Sequence, residues 1–259
     1  MSSPRPRGLP DVGTVWWWWL PAPDVRSVAV AGSVLDPAEL SRAAAFRRPA
    51  DRDRYLVAHV GLRCILADCV GADPADLVLT RLACPQCGEP HGRPALLGHP
   101  DLHFSLAHAD DAAVCAVARS AVGVDVESVR SSARPSVRPA GAASPRATGA
   151  LRRLHPAERA AVQALPPDEQ PLALLSCWVR KEAYLKGTGA GLAAGLGRYV
   201  GLADRFAAAA QVDGVQPPAG WEVADLDVPA GHLGAVAVQG RPGLVCTRQP
   251  PPTRPPGHR

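Results

Sequence analysis

The chain has no long hydrophobic run, although 47% of its 259 residues are hydrophobic. No apolar segment approaches the roughly eighteen residues that a membrane-spanning helix needs. The opening stretch MSSPRPRGLP contains arginines but not the apolar core of a secretory signal. From these absences we expect a cytoplasmic protein without a membrane partner.

Aromatic residues are few, and acidic residues are missing from three segments. The chain has three Tyr and three Phe, and residues 1–10, 128–153 and 241–259 contain no Asp or Glu. Those segments hold twelve of the 28 Lys and Arg residues, which leaves 16 basic against 24 acidic residues elsewhere. A nucleic-acid-binding protein usually carries its basic residues on a folded face with aromatic residues interleaved. We therefore expect no nucleic-acid partner.

The seven cysteines are scattered and odd in number, which favours a reduced compartment over a disulfide framework. Within CPQCGEPH, Cys84, Cys87 and His91 could supply three zinc ligands. A structural zinc site normally needs a fourth ligand from a second pair, and the sequence shows none at a suitable spacing. A tight turn that leads into HGRP is the simpler interpretation, and zinc stays open.

Composition and periodicity predict an α+β fold of two similar halves. The predicted halves are residues 12–121 and 122–240, each with the order strands, helices, strands, and the second contains an Arg- and Pro-rich insertion at about 128–150. Residues 1–11 and the tail 241–259 are expected to be disordered. The run VWWWWLP predicts a strand whose tryptophans pack in the core or at an edge.

Helix signals occur in both halves. Asp36 followed by Pro37 is typical of a helix start, and Gly71 of a helix end. In the second half, LHPAERAAVQAL and LLSCWVRKEAYLKGTGAGL predict two further helices.

The stretch AVGVDVESVR places two carboxylates in an otherwise apolar strand. A period of two sends the valines to one face and both Asp125 and Glu127 to the other. Like charges held this close repel unless a cation lies between them, and Mg²⁺ commonly binds carboxylates together with substrate phosphates. The alternative is a strand that shows an acidic face to water.

The helix around WVRKEAYLKGTG places Trp178, Glu182 and Lys186 on one face, with Lys181 to one side. Glu182 and Lys186 alone would make an ordinary surface ion pair. Together with Asp125 and Glu127, however, they favour a Mg²⁺ site in which Lys186 contacts a substrate phosphate. Such a site requires an anionic substrate.

GVDVE and WVRKEAYLK resemble the two signature motifs of 4'-phosphopantetheinyl transferases of the larger, surfactin-synthetase-activating type. FRRPADRDRYLVAHVGLR, HGRP and FSLAHA resemble three further motifs of that family, in the same order. The resemblance covers about residues 12–240 without the insertion. The composition is typical of a high-GC genome, such as an actinobacterial one.

The resemblance implies a monomer whose halves are related by a pseudo-two-fold axis, with coenzyme A bound in the cleft between them. Enzymes of this family transfer the phosphopantetheine arm of coenzyme A to a serine of an apo carrier protein or carrier domain of polyketide, fatty-acid or nonribosomal peptide synthases. The other product is adenosine 3',5'-bisphosphate. The alternative is a degenerate homologue that binds its partners without catalysis, since Ala107 and Ala109 replace the family's small hydroxyl residues beside His108.

The resemblance also implies roles for individual residues. Asp125, Glu127 and Glu182 would bind Mg²⁺, with Glu182, or a water it orients, as the base for the carrier serine. Lys186 would hold the pyrophosphate. A cationic clamp for the 3'-phosphate would consist of Arg42, Arg93 and His108, while Arg54 and Arg63 align with positive positions of the helical motif or are plain surface arginines.

The insertion offers one hypothesis of its own. Six arginines and no acid lie between Ser128 and Arg153, and a cationic segment beside the cleft could steer acidic carrier proteins by long-range attraction. A low-complexity loop without a role is the favoured alternative.

Overall fold

The computed structural model describes residues 8–22, 24–129, 151–191, 196–206, 217–240 and 243–250. Its helices are α1 (Val25–Val34), α2 (Pro37–Ala44), α3 (Pro49–Val70), α4 (Pro156–Ala164) and α5 (Gln170–Thr188). Its strands are β1 (Thr14–Pro21), β2 (Leu79–Arg81), β3 (Pro94–Leu96), β4 (His103–His108), β5 (Ala112–Ala118), β6 (Val122–Ser128), β7 (Trp221–Leu226), β8 (His232–Gln239) and β9 (Val245–Gln249).

These elements form two main sheets and a small hairpin. The first sheet has the order β4-β5-β1-β9, and the second has the order β6-β8-β7. All neighbours are antiparallel except β1 and β9, which are parallel. Strands β2 and β3 pair with each other. The predicted α+β class is confirmed.

The two main sheets are connected in the same way. In each, a first strand is followed by helices and then by a hairpin, and the second strand of that hairpin pairs antiparallel with the first strand. Helix α3 packs on the first sheet, and α5 packs on the second. The chain therefore contains two α+β units of one connectivity. A two-fold axis between them stays a prediction.

The tryptophans of β1 pack on both faces of the first sheet. Trp18 packs with α3 in one core, while Trp17 packs in a second core that lies between the two sheets and includes Val124 and Val236. Both indole side chains are buried. The core packing expected of this run is confirmed.

The predicted helix ends are also confirmed. The Asp36 side chain accepts the Glu39 amide at 2.8 Å, and Glu39 returns the bond to the Asp36 amide, so α2 begins with a capping box. Helix α3 ends at Gly71 in the left-handed region, with φ of 73°.

Two predictions of disorder are wrong where the structure describes the chain. In the tail, β9 pairs in parallel with β1, and Cys246 packs against the core between the sheets. At the amino-terminal end, Leu9 packs against the first core, and the Pro10 carbonyl accepts a hydrogen bond from Arg119 at 2.9 Å. In the tail, prolines lie before and after β9 but not within it, and β9 pairs with the edge of β1.

The predicted insertion lies almost wholly outside the described residues. Its part in carrier binding stays a prediction. Among the described residues, no helix combines the length and apolar character that a membrane crossing requires.

Helix α5 crosses β6 with almost no side chain between them. A Cβ atom on Gly123 would overlap the Ala183 carbonyl oxygen and the Gly187 nitrogen. On the opposite side, a Cβ on Gly187 would lie 2.6 Å from the Trp221 ring. Only glycine at position 123 permits this contact.

We predict that Gly123→Ala lowers the free energy of unfolding by about 3 kcal/mol or more, because the backbone of a strand and a helix must separate. Gly32→Ala is the matched control, since a Cβ there meets nothing within 4 Å and Gly32 lies in a helix; it should stabilise by roughly 0.5–1 kcal/mol. Urea unfolding of both variants checks this. Equal stability of the two variants would contradict the close-contact argument.

Candidate active site

A cleft cavity of about 690 Å³ is lined by residues of both α+β units. The first unit contributes Arg93, just before β3, and His108, the last residue of β4. The second unit contributes Glu182 and Lys186 of α5. Charged groups from distant parts of the sequence therefore face one space.

Strand β6 carries Asp125 and Glu127, which do not line the cavity themselves, although Asp125 contacts the cavity residue Lys186. The predicted alternation of β6 is confirmed. Val122, Val124 and Val126 are buried in the core between the sheets. The Val124 amide donates to Ser105 Oγ at 3.0 Å, which fixes β6 against β4. Asp125, on the other face, is only 6% exposed.

Asp125 has one satisfied and one unsatisfied oxygen. Its Oδ1 lies 2.5 Å from Lys186 Nζ. Its Oδ2 is buried and has no hydrogen-bond partner. A buried carboxylate oxygen without a partner is costly, so this atom marks a place for a cation or a donor that a ligand brings.

The neighbouring acids repel one another. Burial and the charge of Asp125 raise the pKa of Glu127 to about 7. Burial and Asp125 also raise the pKa of Glu182, and burial raises that of Asp125 despite the nearby Lys186. The Lys186 ammonium group lowers the pKa of all three carboxyl groups, but it does not offset the effects that raise them.

The three acids interact electrostatically but do not form a closed ligand set. Within the described ranges, one group of three or more Cys, His, Asp and Glu side chains has all its ligand atoms within 4.8 Å, and Asp125, Glu127 and Glu182 are not that group. The unpartnered Asp125 oxygen and the excess negative charge nevertheless fit a hard divalent cation with oxygen ligands.

Arg93 connects the two units. Its side chain packs against the end of α5, where a Cβ on Gly189 would lie 2.8 Å from Arg93 Cγ. Gly189 also has a φ of 73°, so glycine is required there on both grounds. Arg93 Nη1 lies 3.5 Å from His103 Nδ1.

His108 lines the cavity at the end of β4. It is exposed toward the cleft, and loss of hydration among its neighbours, followed by the charges of Lys186 and Arg54, lowers its pKa below the usual 6.5. Its place in the 3'-phosphate clamp stays a prediction.

Other predicted arginines lie away from the cavity wall. Arg42 is exposed on α2, with its guanidinium 5.6 Å from the Phe46 ring centroid. Arg54 bonds to Asp51 at 2.9 Å and to the Asp110 carbonyl at 3.2 Å. Neither lines the cavity, so their role in binding stays a prediction.

Arg63 is not a surface arginine. It is fully buried and pairs with Glu39 at 2.6 Å and Asp36 at 2.8 Å. The Pro74 and Leu77 carbonyls accept its remaining bonds. Arg63 thus ties α3 to the start of α2.

Lys181 and Glu182 are adjacent in sequence but serve different purposes. Lys181 is buried and lies 2.6 Å from the buried carboxylate of Glu158. Glu158 also accepts the Val200 amide at 2.7 Å. Lys181 therefore holds α5 to α4, and Glu182 faces the cleft. The sequence signal for Glu158 was its place three residues after His155, where a capping box forms.

Comparison with known proteins relates this site to one enzyme superfamily. Residues 121–231 match the family model of the 4'-phosphopantetheinyl transferase superfamily. A 4'-phosphopantetheinyl transferase from Bacillus subtilis is 27% identical over 147 residues, which are 57% of this chain and 57% of that protein. The chain thus matches less than two thirds of that relative's length.

The 4'-phosphopantetheinyl transferase HetI from Nostoc sp. strain PCC 7120 is 29% identical over 189 residues. That match covers 71% of this chain and 72% of the relative. The residues that match the superfamily model, 121–231, include Asp125, Glu127, Glu182 and Lys186.

We predict that, with a chelator present, Glu127→Gln flattens part of the pH dependence of stability. The folded pKa is about 7 and the ordinary value is 4.5, so the folded state binds more protons between these values. The free energy of unfolding of the parent should therefore fall as pH rises from about 4.5 to about 7. The variant lacks this contribution.

Urea unfolding at several pH values checks this prediction. The exposed Glu169, whose side chain makes no capping hydrogen bond, provides the control substitution Glu169→Gln. Parallel pH profiles of the unfolding free energy for the parent and Glu127→Gln would show that the pKa of Glu127 is not raised in the folded protein.

Proposed function

We propose that the protein transfers the 4'-phosphopantetheine arm of coenzyme A to a serine hydroxyl of an apo carrier protein and releases adenosine 3',5'-bisphosphate. The observation that carries the proposal is Asp125, buried beside Lys186 with one oxygen unpartnered. The family match of residues 121–231 supports the same chemistry.

In this reaction the serine oxygen attacks the phosphorus bonded to the pantetheine arm. The bond from that phosphorus to the bridging oxygen breaks, and the electron pair leaves with adenosine 3',5'-bisphosphate. Glu182 lines the cavity, where its carboxylate, or a water that it orients, can accept the serine proton. Lys186 and Arg93 bring positive charge to the phosphates in the cavity.

Mg²⁺ fits the acidic side of this site, and Asp125, Glu127 and Glu182 would hold it. When bound, it would neutralise charge on the phosphate oxygens as the bond breaks. Without a cation, these carboxylates would repel the phosphates of the substrate. Lys186 and Arg93 would then orient the anionic substrate beside them.

We also infer that one copy of the chain suffices. The cavity is lined from both α+β units of a single chain, so no second copy is needed to complete it. This arrangement supports the larger, two-unit type of transferase, a monomer, with the unit boundary near residues 121–122.

The alternative of a binding protein without activity loses its main argument. Ala107 and Ala109 are buried, and their methyl groups pack in the core between the sheets. At these positions the side chains do not line the cavity. Their lack of hydroxyl groups therefore says little about the nucleotide.

We predict that Asp125→Asn and Glu182→Gln each lower transfer by roughly 100-fold or more, since each removes a charge from the reacting centre. The assay combines purified protein, coenzyme A, Mg²⁺ and an apo carrier domain, and intact mass reports the phosphopantetheine addition. Glu169→Gln is the control and should retain parent activity. Near-normal rates for both site variants, or no addition by the parent, would contradict the proposal.

We further predict that Arg93→Ala and His108→Ala raise KM for coenzyme A by about 10-fold or more. Neither should change KM for dephospho-coenzyme A, because that molecule lacks the 3'-phosphate. Arg42→Ala provides the comparison: an unchanged KM places Arg42 outside the binding site. Equal losses on both substrates would rule out the 3'-phosphate contact.

A further inference from the structure

The loop between β2 and β3 gathers three soft ligands. The side-chain ligand atoms of Cys84, Cys87 and His91 all lie within 4.8 Å of one another. Cys87 Sγ and His91 Nε2 are 3.0 Å apart. Cys84 is buried, whereas Cys87 and His91 are exposed, so an ion has access from solvent.

The tight turn at Cys84 is the geometry that brings the two sulfurs together. The Gly88 amide donates to the Cys84 carbonyl at 2.9 Å, and Gly88 has a φ of 78°, which glycine adopts without strain. The turn and a metal site are therefore compatible.

Backbone contacts hold His91 opposite the cysteines. The amides of Cys84 and His91 both donate to the Glu89 carbonyl, at 2.7 and 2.8 Å. The Gly92 amide donates to the Leu82 carbonyl at 2.9 Å, and a Cβ on Gly92 would lie 2.6 Å from the Ala83 carbonyl oxygen. The loop is thus shaped by its own backbone before any ion binds.

We propose that Cys84, Cys87 and His91 bind one Zn²⁺, with water as the fourth ligand. Zinc–sulfur and zinc–nitrogen bonds in a tetrahedral site place ligand atoms roughly 3.5–3.8 Å apart, which small side-chain rotations achieve from the observed spacing. Two thiolates and a neutral imidazole balance the charge of the ion. Sulfur ligands select Zn²⁺ over Mg²⁺, so this site is distinct from the acidic cluster.

The zinc site would stiffen one rim of the cleft. His91 and Arg93 both line the cavity, and the ion would tie the backbone that precedes Arg93 to the cysteine turn. Zinc binding itself does not depend on the proposed transferase activity, so it is tested separately.

The test measures zinc in the full chain, purified under reducing conditions and equilibrated with Zn²⁺ before gel filtration. Elemental mass spectrometry should find about one zinc per chain in the parent. Cys87→Ser and His91→Ala should lower it to near zero, since each removes an exposed ligand. Cys246→Ser and His99→Ala, which alter a partly buried cysteine and an exposed histidine outside the cluster, should retain it.

Two further readouts do not depend on variants that must fold. Co²⁺ in place of zinc should give a thiolate-to-cobalt charge-transfer band in the parent. Zinc should also protect Cys84 and Cys87 from alkylation, as mapped by peptide mass spectrometry, and should leave Cys246 unaffected. A zinc-free parent, full zinc retention by Cys87→Ser, or unprotected cysteines would overturn the proposal.

Discussion

The site depends on the contact between the backbone of β6 at Gly123 and the backbone of α5 at Ala183 and Gly187. Asp125 follows Gly123 by two residues, while Glu182 directly precedes Ala183 and Lys186 directly precedes Gly187 in α5. Because no side chain separates strand and helix, a short aspartate reaches Lys186 Nζ at 2.5 Å. A methyl group at position 123 would move β6 away from α5, and the buried Asp125 would lose its ion pair with Lys186.

The buried side chains Arg63 and Lys181 differ from Asp125 in how far their charges are paired. Arg63 meets two carboxylates and two carbonyls, and Lys181 meets Glu158, so each buried cation is compensated. Removing one partner of such a pair typically costs about 3–5 kcal/mol. Asp125, in contrast, keeps an oxygen without a partner. A buried carboxylate that is left short of donors lowers the stability of the fold at the place where a ligand would bind.

Local patterns in the sequence predicted much of this arrangement, whereas long-range pairing escaped them. The alternation in β6, the cap at Asp36 and the glycine end of α3 each depend on neighbours a few residues away. The pairing of β9 with β1 joins positions more than 200 residues apart, and nothing in the proline-rich tail indicates it. Helical periodicity separated Lys181 from Glu182, but it could not show that the lysine turns inward to Glu158 because the partner lies on another helix.

Both units contribute charged side chains to the cleft, so an anionic substrate there would meet residues of both. The first unit supplies Arg93 and His108 together with Asp36 and Glu39, and the second supplies Glu182 and Lys186. The phosphates of such a substrate can contact the basic side of the cleft, at Arg93 and Lys186, directly, but they approach a carboxylate only with a cation between. Arg93 packs against the glycine that ends α5, so the basic side is held in register with the helix that carries Glu182. The packing that joins the units therefore also sets the distance between Arg93 and Lys186, which an anionic substrate has to span.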